Sequence, residues 1–68
     1  MRYLIKMRVR TPVYSDSKPG TIEFFEERFE EIERMAKHEI EASKKFRRYA
    51  SRFPKKWIFE LLEIKERK

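Results

Sequence analysis

The run from Lys44 to Trp57, Lys-Lys-Phe-Arg-Arg-Tyr-Ala-Ser-Arg-Phe-Pro-Lys-Lys-Trp, holds seven basic residues, four aromatics and no acid. That mixture suits phosphate. Guanidinium and ammonium groups neutralise a polyanion and release its counterions, and interleaved rings offer surfaces on which bases stack. At helical spacing, Arg34, Lys37, Lys44, Lys45, Arg48 and Arg52 fall within about 100° of arc and form a solvent-facing basic ridge. Tyr49 lies at the edge of that ridge, and Lys55 and Lys56 prolong it. The plain alternative is a solvated, dipole-matched helix end whose Phe46 and Phe53 belong to the core. The same charge also suits an anionic membrane surface or an acidic groove on a protein.

A second group sits near the start of the chain. Residues 2–11 alternate, with Tyr3, Ile5, Met7 and Val9 on one side and Leu4, Lys6, Arg8 and Arg10 on the other. This is the period of a strand with one apolar and one basic face. Lys6, Arg8 and Arg10 on an open sheet, with Trp57, Phe59 and Leu61 from a second strand beside them, resemble in chemistry the sheets that hold single-stranded RNA. Exposed aromatics more commonly mark a subunit contact. Trp57, Phe59 and Leu61 are therefore expected at an oligomer interface.

Other chemistries find little support. His38 is the only histidine and cysteine is absent, so neither a thiolate site nor a single-chain histidine zinc site can be built. No Gly-rich phosphate loop and no nucleophile with a base at a known spacing is present. The expectation is a binding protein without catalysis and without a cofactor. Glu23, Glu26, Glu27, Glu30, Glu31 and Glu33 form an acidic run suited to a metal, to a basic partner or simply to solvation.

The elements that position these residues follow from periodicity. Thr21 is a candidate N-cap. Ile22, Phe25, Phe29, Ile32, Ala36, Ile40, Ser43, Phe46, Ala50 and Phe53 follow three-and-four spacing, which predicts one long helix over 22–53. Its acidic start and basic end match the macrodipole, and Glu30–Arg34, Glu33–Lys37 and Glu41–Lys45 pair at i,i+4. Arg28, Glu39 and Arg47 interrupt the stripe, so it is narrower than drawn or they are paired across subunits. Thr11–Gly20, with two prolines and the only glycine, reads as a loop. Residues 57–65 fit a helix or a strand; they are read as a strand because the first strand needs a partner. The predicted fold is α/β: a β-α-β unit with a long helix over a two-stranded sheet, doubled by dimerisation into a ferredoxin-like outline. A helix of about 48 Å over strands of about 30 Å leaves an overhang that a second subunit could cover.

Composition bounds the rest. The 68 residues form a single domain, 1–68, with a marginal core and no disulfide to brace it. Asn, Gln and Cys are all missing while 44% of residues are charged, the pattern of a thermophile protein, cellular, archaeal or viral. Net charge is +6: residues 1–20 carry five basic and one acidic group, 21–33 one and six, 34–56 nine and two, and 57–68 three of each. No apolar run spans a bilayer and no signal-peptide pattern is seen, so a cytoplasmic protein is expected. The leading function is a small basic nucleic-acid-binding protein, RNA or DNA, acting on the phosphate backbone. The other class is a protein–protein adaptor, an assembly subunit or a virus-encoded inhibitor of a larger complex.

Overall fold

A computed structural model describes residues 1–67. The elements are β1 (Arg2–Tyr14), β2 (Ile22–Met35), α1 (Glu39–Ala50) and β3 (Ile58–Arg67). They build one three-stranded sheet of order β2-β1-β3, with both pairings antiparallel. The helix lies on one face and the other face is open.

The β-α-β unit is therefore corrected to β-β-α-β. Residues 22–35 of the expected long helix form a strand, and only 39–50 are helical. The reason is pairing. A central β1 leaves two rows of backbone groups to satisfy, and helix propensity differs by only a few tenths of a kcal/mol between ordinary residues. Charge decides the partner: Lys6 lies opposite Glu31 and Arg10 opposite Glu27, while Ile5 meets Ile32. Opposite charges across a ladder stabilise it, by about 0.2–1 kcal/mol per pair. The acidic run thus complements the basic strand rather than opening a helix.

β1 behaves as its alternation predicts. Ile5, Met7 and Val9 are fully buried and Tyr3 nearly so. It also runs past Pro12 to Tyr14, beyond the expected strand end. Pro12 is tolerated because β3 stops at the Arg10–Ile58 pair, so beyond it β1 has a partner on one side only. The connection to β2 closes through Ser15 N–H donating to the Thr21 carbonyl at 2.9 Å. Gly20 supplies the left-handed residue of this turn, with φ of +83°.

β3 is a strand as expected, but before residue 62 its faces are exchanged: Phe59 and Leu61 lie on the covered side. A bulge lies opposite the Lys6–Met7 step: Lys6 pairs with Glu63 and Met7 with Leu61, leaving Leu62 unpaired. One extra residue changes the alternation. Phe59, Leu61 and Ile64 consequently share the covered side and pack against the core. The helix is anchored there by Ala42 and Phe46, both buried. Its N-cap is His38, whose Nδ1 accepts from the Glu41 N–H at 3.2 Å. Glu39 and Glu41 occupy its first turn and Arg47 and Arg48 its last, each matched to the helix dipole.

Candidate nucleic-acid interface

The predicted ridge does not exist as one helix face, yet half of it converges. Arg34 comes from the end of β2, Lys45, Arg48 and Tyr49 from α1, and Arg52 from the turn after it. Together they line a cleft of about 200 Å³ between helix and strand. Four cations and one phenol, with no carboxylate, surround this space. Strand and helix deliver them to one place because Lys45 and Tyr49 of α1 meet the end of β2 at the Met35 carbonyl and the Arg34 guanidinium.

The four cations are not equivalent. Arg34 donates from Nη1 to the Glu33 carbonyl at 2.8 Å, and its guanidinium lies 5.5 Å from the centre of the Tyr49 ring. Lys45 Nζ donates to the Met35 carbonyl and stands 4.0 Å from the Glu41 carboxylate. Both are half-buried and fixed. Arg48 and Arg52 are exposed, and neither takes part in an ion pair among the described residues. The cleft therefore has two positioned charges at its wall and two free ones at its mouth.

Lys37 lies in the link before α1 and Lys44 on the exposed side of the helix, both outside the cleft. Lys55 and Lys56 lie in the link before β3; the Lys56 ammonium reaches to 5.7 Å from the Tyr14 ring. Tyr49 is half-buried in the core packing rather than standing free at a ridge. Its ring meets Phe53 edge-on at 5.2 Å and Phe59 at 6.2 Å.

Trp57, Phe59 and Leu61, expected on the open sheet, lie on the helix side instead. Phe53 stacks on Trp57 with centroids 5.1 Å apart and planes at 18°, and the Arg28 guanidinium sits 5.6 Å from the indole. These rings brace the end of the helix against the sheet. Their faces are engaged with each other and with Arg28, so they are poorly placed for stacking on bases.

The open face carries Lys6, Arg8 and Arg10 as predicted, but its net charge is small. Arg8 pairs with Glu60, Arg10 Nε lies 3.4 Å from Glu27, and Glu33 takes both Arg2 at 3.7 Å and Arg67 at 2.7 Å. The hydrogen bond to Glu60 raises the Arg8 pKa above its ordinary value. Lys6 stands between Glu31 and Glu63 in the register. The sequence shows β1 as a basic face; the flanking strands return a carboxylate for nearly every cation. Sequence reasoning missed this because it took the acidic run into a helix.

Among the described residues, no group of three or more His, Asp or Glu side chains is placed to hold a metal ion, and no helix is long and apolar enough to cross a membrane. No protein-family model, curated protein or solved structure matches the chain.

Proposed function

We propose that this protein binds nucleic acid through its phosphate backbone, in the cleft between α1 and the end of β2. One observation carries the reading: Arg34, Lys45, Arg48 and Arg52 line one cleft with no carboxylate in its wall. Among the described residues, only Lys45 of the four has a glutamate carboxylate beside it, whereas most cations of the open face are matched by glutamates. A phosphate entering the cleft meets two held cations at its wall and two exposed ones at its mouth, unpaired among the described residues. Charge-assisted contacts of this kind are roughly twice as strong as neutral hydrogen bonds. Base readout is not part of the proposal, because Tyr49 and Trp57 already have ring partners. Affinity should then depend on salt and little on sequence.

The test is fluorescence anisotropy with labelled duplexes and single strands of unrelated sequence, each over a series of salt concentrations. Comparable affinities that fall linearly on a logarithmic salt scale are expected. Absence of binding at low salt, or affinity indifferent to salt, refutes the proposal. A protein-contact role draws on a different surface, the apolar side chains left uncovered on the open face, and the two roles are compatible.

A further inference from the structure

The sheet buries one face under α1 and leaves the other bare. By register, Phe25, Phe29 and Ile58 belong to that bare face, and the bulge residue Leu62 lines one groove there with Lys6, Phe29 and Glu31. Phe29 is 68% exposed and Leu62 47%. The molecule also has more surface than its mass calls for: 5402 Å², against about 4,700 Å² for a compact monomer of this size. Its radius of gyration is 14.6 Å, where about 11 Å is usual. The excess, about 700 Å², is close to the ~800 Å² that each partner gives up in a standard interface.

We infer that two copies of this chain pack open face to open face, centred on Phe29 and Leu62. Charge favours that surface over the others. The helix side is strongly basic and repels its own copy. The free edge of β2 is rich in glutamate, so edge-to-edge pairing sets like charges together. The free edge of β3 is interrupted by its bulge and carries charges of alternating sign, a usual defence against pairing. The open face is nearly balanced, with a row of cations on β1 between rows of glutamates on β2 and β3. Sheets crossed near a right angle, one of the two common packings, carry the ends of each β1 cation row over the partner's two glutamate rows. The two β1 rows cross at the centre with their own carboxylate partners, Glu60 and Glu27, beside them. A two-fold axis makes the contact self-complementary. Both basic clefts then face outward on opposite sides, so the dimer can join two nucleic-acid segments; this second half rests on the cleft reading above.

Light scattering at micromolar concentration should give twice the chain mass. Replacing Phe29→Thr and Leu62→Thr together should weaken the dimer at least about a hundredfold, since central apolar contacts dominate interfaces. Both side chains are exposed within one copy, so the circular dichroism spectrum should persist. A second variant reads the face directly. The chain has no cysteine, so Lys6→Cys introduces a sole thiol; it should be shielded in the dimer and react freely when combined with the two threonines. A monomeric wild type, a dimer unaffected by the double change, or a thiol equally reactive in both backgrounds overturns the inference. For bridging, the wild type should bring two labelled duplexes into energy transfer, and the threonine variant should bind each without joining them. A dimer that binds yet never joins duplexes overturns the outward geometry. A dimer that binds no nucleic acid overturns the cleft reading alone and leaves the interface standing.

Discussion

Replacing Arg48 and Arg52 with alanine should remove the two free charges of the cleft with little damage to the fold. Both are exposed and neither holds an ion pair among the described residues, while alanine keeps the helix. Arg34 and Lys45 would remain, fixed by the Glu33 and Met35 carbonyls. Each phosphate contact on duplex DNA contributes about 0.9 to the slope of log affinity against log salt, so the double change should flatten the slope by about 1.8. At 0.1 M salt that is about sixty-fold in affinity, or roughly 2.4 kcal/mol, and the difference should vanish towards 1 M. Anisotropy titrations with two unrelated duplexes should show the same loss for both. Arg8→Ala is the matched control. It also removes a cation, but one paired with Glu60 on the opposite face, so the slope should stay at the wild-type value. A double variant with an unchanged slope, or an Arg8 variant that loses as much, would refute the assignment of binding to the cleft.

Four further outcomes follow from packing, protonation and capping. Phe46→Ala removes the main anchor of α1, 7% exposed; it should cost about 3–5 kcal/mol, against a total of about 3–10 kcal/mol for 68 residues, and leave a large unfolded fraction by circular dichroism. Trp57→Ser with Phe59→Ser should likewise lower the melting temperature sharply, because these rings brace the helix end; an unchanged melt would count against that role. Burial, reinforced by Glu66 and Glu39, raises the Tyr3 pKa above its ordinary 10.0. The neutral phenol is thus the form that the fold favours. That contribution is complete below the ordinary pKa and is lost as pH rises through the raised one. Alkaline melts should show it, and Tyr3→Phe should lessen the loss. His38→Asp should improve the N-cap and raise the melting temperature slightly.

β1 was legible because its alternation is strict and only one apolar face results. β3 was legible as a strand from the need to pair β1, but not its faces, since nothing in Leu61-Leu62-Glu63 announces a bulge. β2 was not legible from periodicity. Ile22, Phe25, Phe29 and Ile32 fit a helix, and glutamate is a good helix former; tertiary pairing overrode both. Two signals pointed the other way. Arg28, Glu39 and Arg47 broke the proposed stripe, and the acidic run was the electrostatic complement of the basic strand. The cleft is partly legible: helical spacing groups Arg34, Lys45, Arg48 and Arg52, although their convergence comes from a strand end meeting a helix and not from one helical face. The same misplaced boundary drew Lys37 into the group.

The β1–β2 ribbon continues past the Arg10–Ile58 pair, where neither β3 nor α1 supports it. A two-stranded hairpin is only marginally stable in isolation. The chain should therefore have two tiers of stability, a body that opens only by global unfolding and a ribbon tip that opens locally, and the two should separate in amide exchange rates. Tyr14, Phe24 and Phe25 ride on the less stable tier. Because the tip can fray without disturbing the cleft, the turn between Ser15 and Gly20 is where the chain should best accept an inserted sequence or a fluorophore.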